Sequence, residues 1–262
     1  MEQTLDIAWL DLIFFMLILI FPFLINKKLN LRLEKEILIS VFRMTLQLVL
    51  VGLYLEFLFD LNSLMLNIVW LIIMILVGAS AIISGANLPK QHLFLPVLIG
   101  LVISSLPLLF ILLFFLIQPS PIFHAQYLIP LAGMLLGNSL SGNIVALKSL
   151  FTAFNDNKLE YETALSLGAE PAQAAQPFVQ SAIKNALAPI IASMTTTGIV
   201  TLPGMMTGQI LGGIEPITAV KYQLIILVSI FVMLCVSVNT SLYFTIKSVI
   251  TPTGLIQIKS RE

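Results

Sequence analysis

Seven apolar runs, each long enough to cross the hydrocarbon core of a bilayer, decide what this sequence can fold into. They cover about 7–25, 37–58, 65–84, 94–117, 126–147, 183–202 and 220–246. Inside lipid every backbone N–H and C=O needs an internal partner, and runs of about 20 residues find those partners as helices. The alternating ten-residue pattern of a membrane barrel is missing. Only 10% of residues are charged and mean hydropathy is +1.04, whereas soluble domains carry about 25% charged residues. The expected fold is all-α, a polytopic membrane protein of about seven transmembrane helices. Connections are short except for 148–182, and no repeat or low-complexity tract divides the chain, so residues 1–262 are expected to form a single membrane domain. A net charge of zero gives no electrostatic footprint for nucleic acid. The lone Cys235 excludes an internal disulfide framework and, within an apolar run, behaves as a small hydrophobe.

The first run has Glu2, Asp6 and Asp11 at its head, no Lys or Arg before it, and FPFLINKK without a small-residue cleavage site after it. It is therefore expected to be a retained span rather than a signal peptide. Lys27, Lys28, Arg32, Lys35, Lys90, Lys148, Lys158, Lys184, Lys247, Lys259 and Arg261 all fall on one side of the seven runs. Lys221 falls on the other side and Arg43 lies within the second run. The positive-inside rule then predicts an amino terminus outside and a carboxyl terminus in the cytoplasm. Asp60 and Glu215 sit on the outer side.

The long connection reads EYETALSLGAEPAQAAQPFVQSAIKNALAP. A short helix through Glu162–Leu167 is expected to stop at Gly168, and the chain to restart at Pro171, a favoured first helical position. Glu160, Glu162 and Glu170, set among Ala164, Ala169 and other small residues, make this a compact cytoplasmic elbow between two spans. Beyond it, Asn185, Pro189, Ser193, Thr197 and Thr201 recur every fourth residue, a slanted row of small groups on one helix. Ser and Thr are common in membrane helices, where they bond their own backbone. The row gains meaning from the break that follows, at Pro203 and Gly204, with Met205, Met206 and Gln209 just beyond. Broken helices are tolerated at membrane depth only where protein or water satisfies the freed backbone, so this segment is a candidate pathway wall.

Other polar groups lie within the spans. Ser40, Arg43, Gln47 and Tyr54 share one face of the second run, with Arg43 about 9 Å from its cytoplasmic edge by helical rise. An arginine there either snorkels to headgroups or braces the acidic elbow. The fifth run carries Gly133, Gly137 and Ser141 at four-residue spacing, a ridge suited to close helix approach, with the amides of Asn138 and Asn143 alongside. That ridge serves packing within one bundle or a seam between two copies. His92 and His124 are solitary, and the adjacent Met205 and Met206 point about 100° apart on a helix, so no resident metal site is expected. No GxxxxGK[ST] loop is present, so any nucleotide that drives this chain is bound by another.

ETALSLGA, with Glu162, Ala164, Gly168 and Ala169, resembles the coupling-helix signature of ABC transporter permeases, in which a cytoplasmic helix seats in a cleft of the ATPase. Here Thr163 stands where that signature usually has a small side chain. Two spans after the elbow resemble importer-type permeases. The stretch TLPGMMTGQILGGIEPITAVKYQ (Thr201–Gln223), IPLAGMLLGNSLS (Ile129–Ser141) and LEKEIL (Leu33–Leu38) are similar to the FetB family of iron-export permeases, which includes plant aluminium-tolerance proteins. The resemblance implies a homodimeric permease in an inner membrane, paired with a cytoplasmic ATPase that holds ATP and Mg, and it implies iron export. The chain itself is then expected to bind no cofactor and catalyse no reaction. Alternatives are a permease for another solute, such as a nucleotide sugar or another metal, and a channel or secondary transporter outside the ABC class. Ion coupling in the latter needs carboxylates within the spans, and Glu56 near an outer end is the one available. An intramembrane enzyme lacks a nucleophile–base pair.

Overall fold

The computed structural model describes residues 7–251 and 253–256. Glu2, Asp6, Lys259 and Arg261, used above for orientation, lie outside the described residues. The described residues form helices α1 (Trp9–Lys28), α2 (Glu34–Leu61), α3 (Leu64–Gly85), α4 (Lys90–Ile117), α5 (Ala125–Asp156), α6 (Lys158–Ser166), α7 (Pro171–Thr196), α8 (Gly204–Leu211) and α9 (Pro216–Val249). Asn62 ends α2 and Gln118 ends α4, each in the left-handed region, as does Asn87 just beyond α3. Asn reaches that conformation more easily than most residues.

Among the described residues six helices, α1 to α5 and α9, are long and apolar enough to cross a membrane. The run expected at 183–202 is built differently. Its helix begins earlier, at Pro171, and ends at Thr196, mixing alanine with Gln, Asn, Ser and Thr. It is the least lipid-like of the long helices, as suits one that lines a polar space.

The core lies between α3, α4, α5 and α9, with α7 laid on α5 and α9. Small residues set how closely these helices approach. A Cβ on Gly100 of α4 would collide with the Ser241 hydroxyl and stand 2.9 Å from the Ser237 carbonyl of α9. Gly142 of α5 receives Leu234 of α9, and Gly85 of α3 receives Ile144 of α5. Asn143, fully buried, donates from Nδ2 to the Ser139 carbonyl and to Ser237 Oγ, both at 2.9 Å, and so pins α5 to α9.

Polar contacts at the helix ends sort the connections onto two sides. Ser248 Oγ at the end of α9 donates to the His92 carbonyl at the start of α4 (2.9 Å), and Lys90 Nζ donates to Ser80 Oγ near the end of α3 (2.7 Å). At the opposite end the Ala125 N–H donates to Asn62 Oδ1 (3.0 Å) and Asn67 Nδ2 to the Phe123 carbonyl (2.9 Å). Helices α1 and α2 stand outside this core. Leu58 is the one buried side chain of α2, and Tyr54 meets Trp70 of α3 with ring centroids 4.3 Å apart. Their exposed apolar faces suit lipid.

Candidate functional site: an elbow joined to a polar cavity

The elbow forms where its local signals put it. Helix α6 starts four residues before Glu162 and ends at Ser166, with Gly168 at φ +91°. The Ala169 N–H donates to the Ala164 carbonyl (3.1 Å) and the Gly168 N–H to the Leu165 carbonyl (2.9 Å). This is the paired terminator that a left-handed glycine closes. Pro171 opens α7, and Gln173 Oε1 accepts from the Glu170 N–H in a capping box (3.3 Å). One face of α6 is buried through Tyr161, whose ring packs edge-on against Phe154 and lies beside Phe178. The other face is open: Glu160, Glu162 and Leu159 are exposed, and Leu167 is 84% exposed. Lys158 and Glu162 form an ion pair at 3.5 Å, worth little in water.

The Tyr161 hydroxyl donates to the Gly254 carbonyl at 3.0 Å, and a Cβ on Gly254 would meet Leu165 Cδ1 at 2.6 Å. The chain after α9 thus folds back as a strap on the elbow, closed by a bridge between Ile250 and Ile256. Phe151, Phe154 and Lys158 line the recess beneath it with Thr253 and Leu255. Burial pushes the Tyr161 hydroxyl above its ordinary pKa. Sequence reasoning missed the strap, because its partners lie 93 residues apart and only the glycine hints at it.

From Pro171, α7 runs without a break to Thr196. Ser193 stands about 33 Å along that helix from the elbow. Pro189 removes the helical hydrogen bond to the Asn185 carbonyl, and Asn185 Nδ2 instead ties α7 to α5 through Ser149 Oγ at 2.8 Å. After Thr196 the chain makes a tight hairpin. Gly198 takes φ +90°, its N–H donates to the Thr201 carbonyl (2.9 Å), and Thr197 bridges Thr201. The tip is bare, with Ile199 91% exposed. Pro203 then leads into the short α8.

Behind this hairpin lies a cavity of about 370 Å³. Ser193, Thr197, Thr201, Pro203, Gly204 and Met205 line it from the broken segment, and Asn138 lines it from α5. Met134 of α5 and Gln223 of α9 complete its polar and sulfur groups, and neither was singled out from the sequence. Gln223 is buried, 6% exposed, and its Oε1 has no hydrogen-bond partner. The signal that could have found it is an amide a few residues inside an otherwise apolar span. Met206 and Gln209 are half-buried on α8 but outside the lining. The Met pair is thus split, with Met205 in the cavity lining and Met206 outside it.

Arg43 and Gln47 do not join this site. They line an open groove on α2 with Ser40, Met44, Leu48 and Val51. No ion pair links Arg43 to the elbow among the described residues. Asn143 is committed to the α5–α9 contact. Of the small-residue ridge, Gly133 faces Met74, whereas Gly137 has open space around it and Ser141 is exposed. A concavity of about 510 Å³ between α1 and α2 is lined by Trp9, Phe23, Leu38 and other apolar groups. Its one hydroxyl, Thr45, is spent on the Val41 carbonyl, so nothing there orients a polar cargo. Among the described residues no three His, Cys, Asp or Glu come together.

The profile of an uncharacterised protein family, UPF0014, matches residues 9–250. A UPF0014 membrane protein of Synechocystis, slr1647, is 36% identical over 198 residues, 76% of each chain. Protein ALUMINUM SENSITIVE 3 of Arabidopsis thaliana is 35% identical over 217 residues, 82% of this chain and 77% of its own. The probable iron export permease protein FetB of Escherichia coli is 31% identical over 211 residues, 80% of each. No solved structure matches the chain. With a matched profile spanning nearly all the described helices, this multi-pass chain belongs to the UPF0014 family of membrane proteins.

Proposed function

We propose that this chain is the permease subunit of an ATP-driven transporter, acting as a single membrane domain, and that iron leaves the cytoplasm through it. The observation that carries the reading is the mechanical continuity of α7. One helix begins at the elbow and ends as a wall of the polar cavity about 33 Å away. A partner ATPase, holding ATP and Mg, would grip the open face of α6 at Leu159, Glu160, Glu162 and Leu167. Displacement of the elbow then moves Ser193, Thr197 and the hairpin beyond them. The two-ended sorting of basic residues supports a cytoplasmic elbow and an outer amino terminus, which puts the cavity nearer the outer face.

A homodimer fits the open side of the cavity. Asn138, Ser141 and Ser193 are exposed at membrane depth, where lipid gives polar groups no partner. A second copy across this face closes the pathway. Iron as cargo rests on the relative named as a probable iron export permease. The test is affinity purification from native membranes together with cellular iron content. The chain should bring down a cytoplasmic ATPase, and cells lacking the chain should hold more iron and grow worse under peroxide. Unchanged iron content with the ATPase intact would assign the transporter to another solute.

A further inference from the structure

Three leucines stand in water at the elbow end of the chain. Leu159 and Leu167 lie in the long connection and Leu255 on the strap, and they are 79%, 84% and 69% exposed. All three lie outside the spans, so hydrocarbon does not cover them. Large apolar groups left open to water mark the contact surface of a partner. Leu255 is held there by a built turn. Its N–H donates to Thr251 Oγ1 (2.9 Å), the Thr251 N–H donates to the Leu255 carbonyl (3.0 Å), and Gly254 takes φ +82° between them. Tyr161 and Leu165 fasten that turn to α6 through Gly254. The recess between strap and elbow, about 260 Å³, is lined by Phe151, Phe154, Leu165 and Leu255, with Lys158 and Glu162 beside them. Glu162 therefore borders both the recess and the open face of α6.

Charge decides what covers this surface. Between Asn155 and Glu170 four exposed acids, Asp156, Glu160, Glu162 and Glu170, stand against one cation, Lys158. The α1–α2 connection on the same side carries Lys27, Lys28, Arg32 and Lys35 against Glu34 and Glu36. Anionic headgroups attract the second segment and repel the first. Leucines set among acids are matched instead by a protein surface that combines apolar side chains with Lys or Arg. We propose that the strap and the elbow form one bipartite dock for the ATPase, in which an apolar side chain of the partner fills the recess beside Leu255 and a partner Lys or Arg meets Glu162. This rests on the reading of the elbow as the point where the ATPase grips. A pocket-filling anchor is where interfaces concentrate their binding energy. The second point of attachment stops the partner from turning about the short α6, so its displacement passes into α7.

The test uses the full-length chain purified with its ATPase from native membranes. A photo-activated benzophenone side chain is placed in turn at Leu255, at Leu159 and, as control, at Ile199 on the hairpin tip. The Leu255 and Leu159 probes should each link to a protein whose peptides include a GxxxxGK[ST] loop, and the Ile199 probe should not. Leu255→Asp should lower the ATPase retained by at least about tenfold, Leu255→Met should retain it, and high salt should weaken the complex. Leu255 faces water, so Leu255→Asp folds, and the photoprobe in an otherwise unchanged chain reads the same contact independently. Wild-type retention of the ATPase by Leu255→Asp would overturn the proposal, as would a Leu255 probe that links only to lipid. With the Leu159 probe still linking to the ATPase, either result removes the strap alone from the dock. Loss of the Leu159 adduct as well would remove the elbow with it.

Discussion

At the scale of single residues, the same substitution is expected to have opposite effects at two helical glycines. Gly100 faces the backbone and hydroxyl of α9, so Gly100→Ala must push two helices apart, at about 1–3 kcal/mol. Gly52 on α2 has nothing within 4 Å of its absent Cβ, and Gly52→Ala should gain about 0.5–1 kcal/mol from backbone entropy. Thermal unfolding in detergent should show one Tm falling and the other level or rising; equal shifts would contradict the packing. Tyr161→Phe removes the hydrogen bond to Gly254 and should cost about 0.5–1.5 kcal/mol while keeping the ring contacts. The raised Tyr161 pKa means the folded chain holds that proton more tightly than the unfolded one. The contribution is therefore constant at neutral pH and declines as pH rises past the ordinary tyrosine value. Wild-type and Tyr161→Phe stabilities should converge at strongly alkaline pH, and a constant gap there would count against the strap.

At the scale of elements, the elbow was legible because its signals are local. Gly168 and Pro171 act on their own neighbours, so helix, terminator and restart could be read in order. The row of small groups was legible only in part: Asn185, Pro189 and Ser193 lie on α7, but that helix ends at Thr196, so Thr197 and Thr201 fall in the hairpin beyond it. Met134 and Gln223 were not, because they reach the cavity only through the packing of α5 and α9 against α7, and no periodicity reports that. Arg43 drew notice by its cost in lipid, yet α2 carries it away from both elbow and cavity. In the proposed transporter, the hairpin separates docking of the ATPase at the elbow from handling of cargo at the cavity. Gly198 sits in a left-handed conformation with open space around it, so Gly198→Val strains the backbone by about 1 kcal/mol or more without a clash. That variant should bind the partner ATPase normally but transport poorly. Loss of the ATPase from Gly198→Val would mean that the hairpin, and not the elbow alone, holds the partner.

At the scale of the whole molecule, helix ends sort into a basic side and an opposite one, which makes orientation testable by chemistry. Single cysteines at Asn62, Ser120 and Lys158 in a Cys235→Ser background should react with an impermeant thiol reagent at the first two positions and stay protected at the third. Labelling at Lys158 in intact cells would invert the topology. In the proposed transporter, force enters at the elbow. On the proposed reading the most direct measurement is ATP-dependent iron transport in proteoliposomes carrying the chain and the cytoplasmic ATPase that copurifies with it, with Glu162→Lys and Gly168→Val beside wild type. Both residues lie outside the spans, so both variants should insert normally, yet transport and its coupled ATP hydrolysis should be lost. Wild-type coupling in both variants would contradict the elbow as the point of drive.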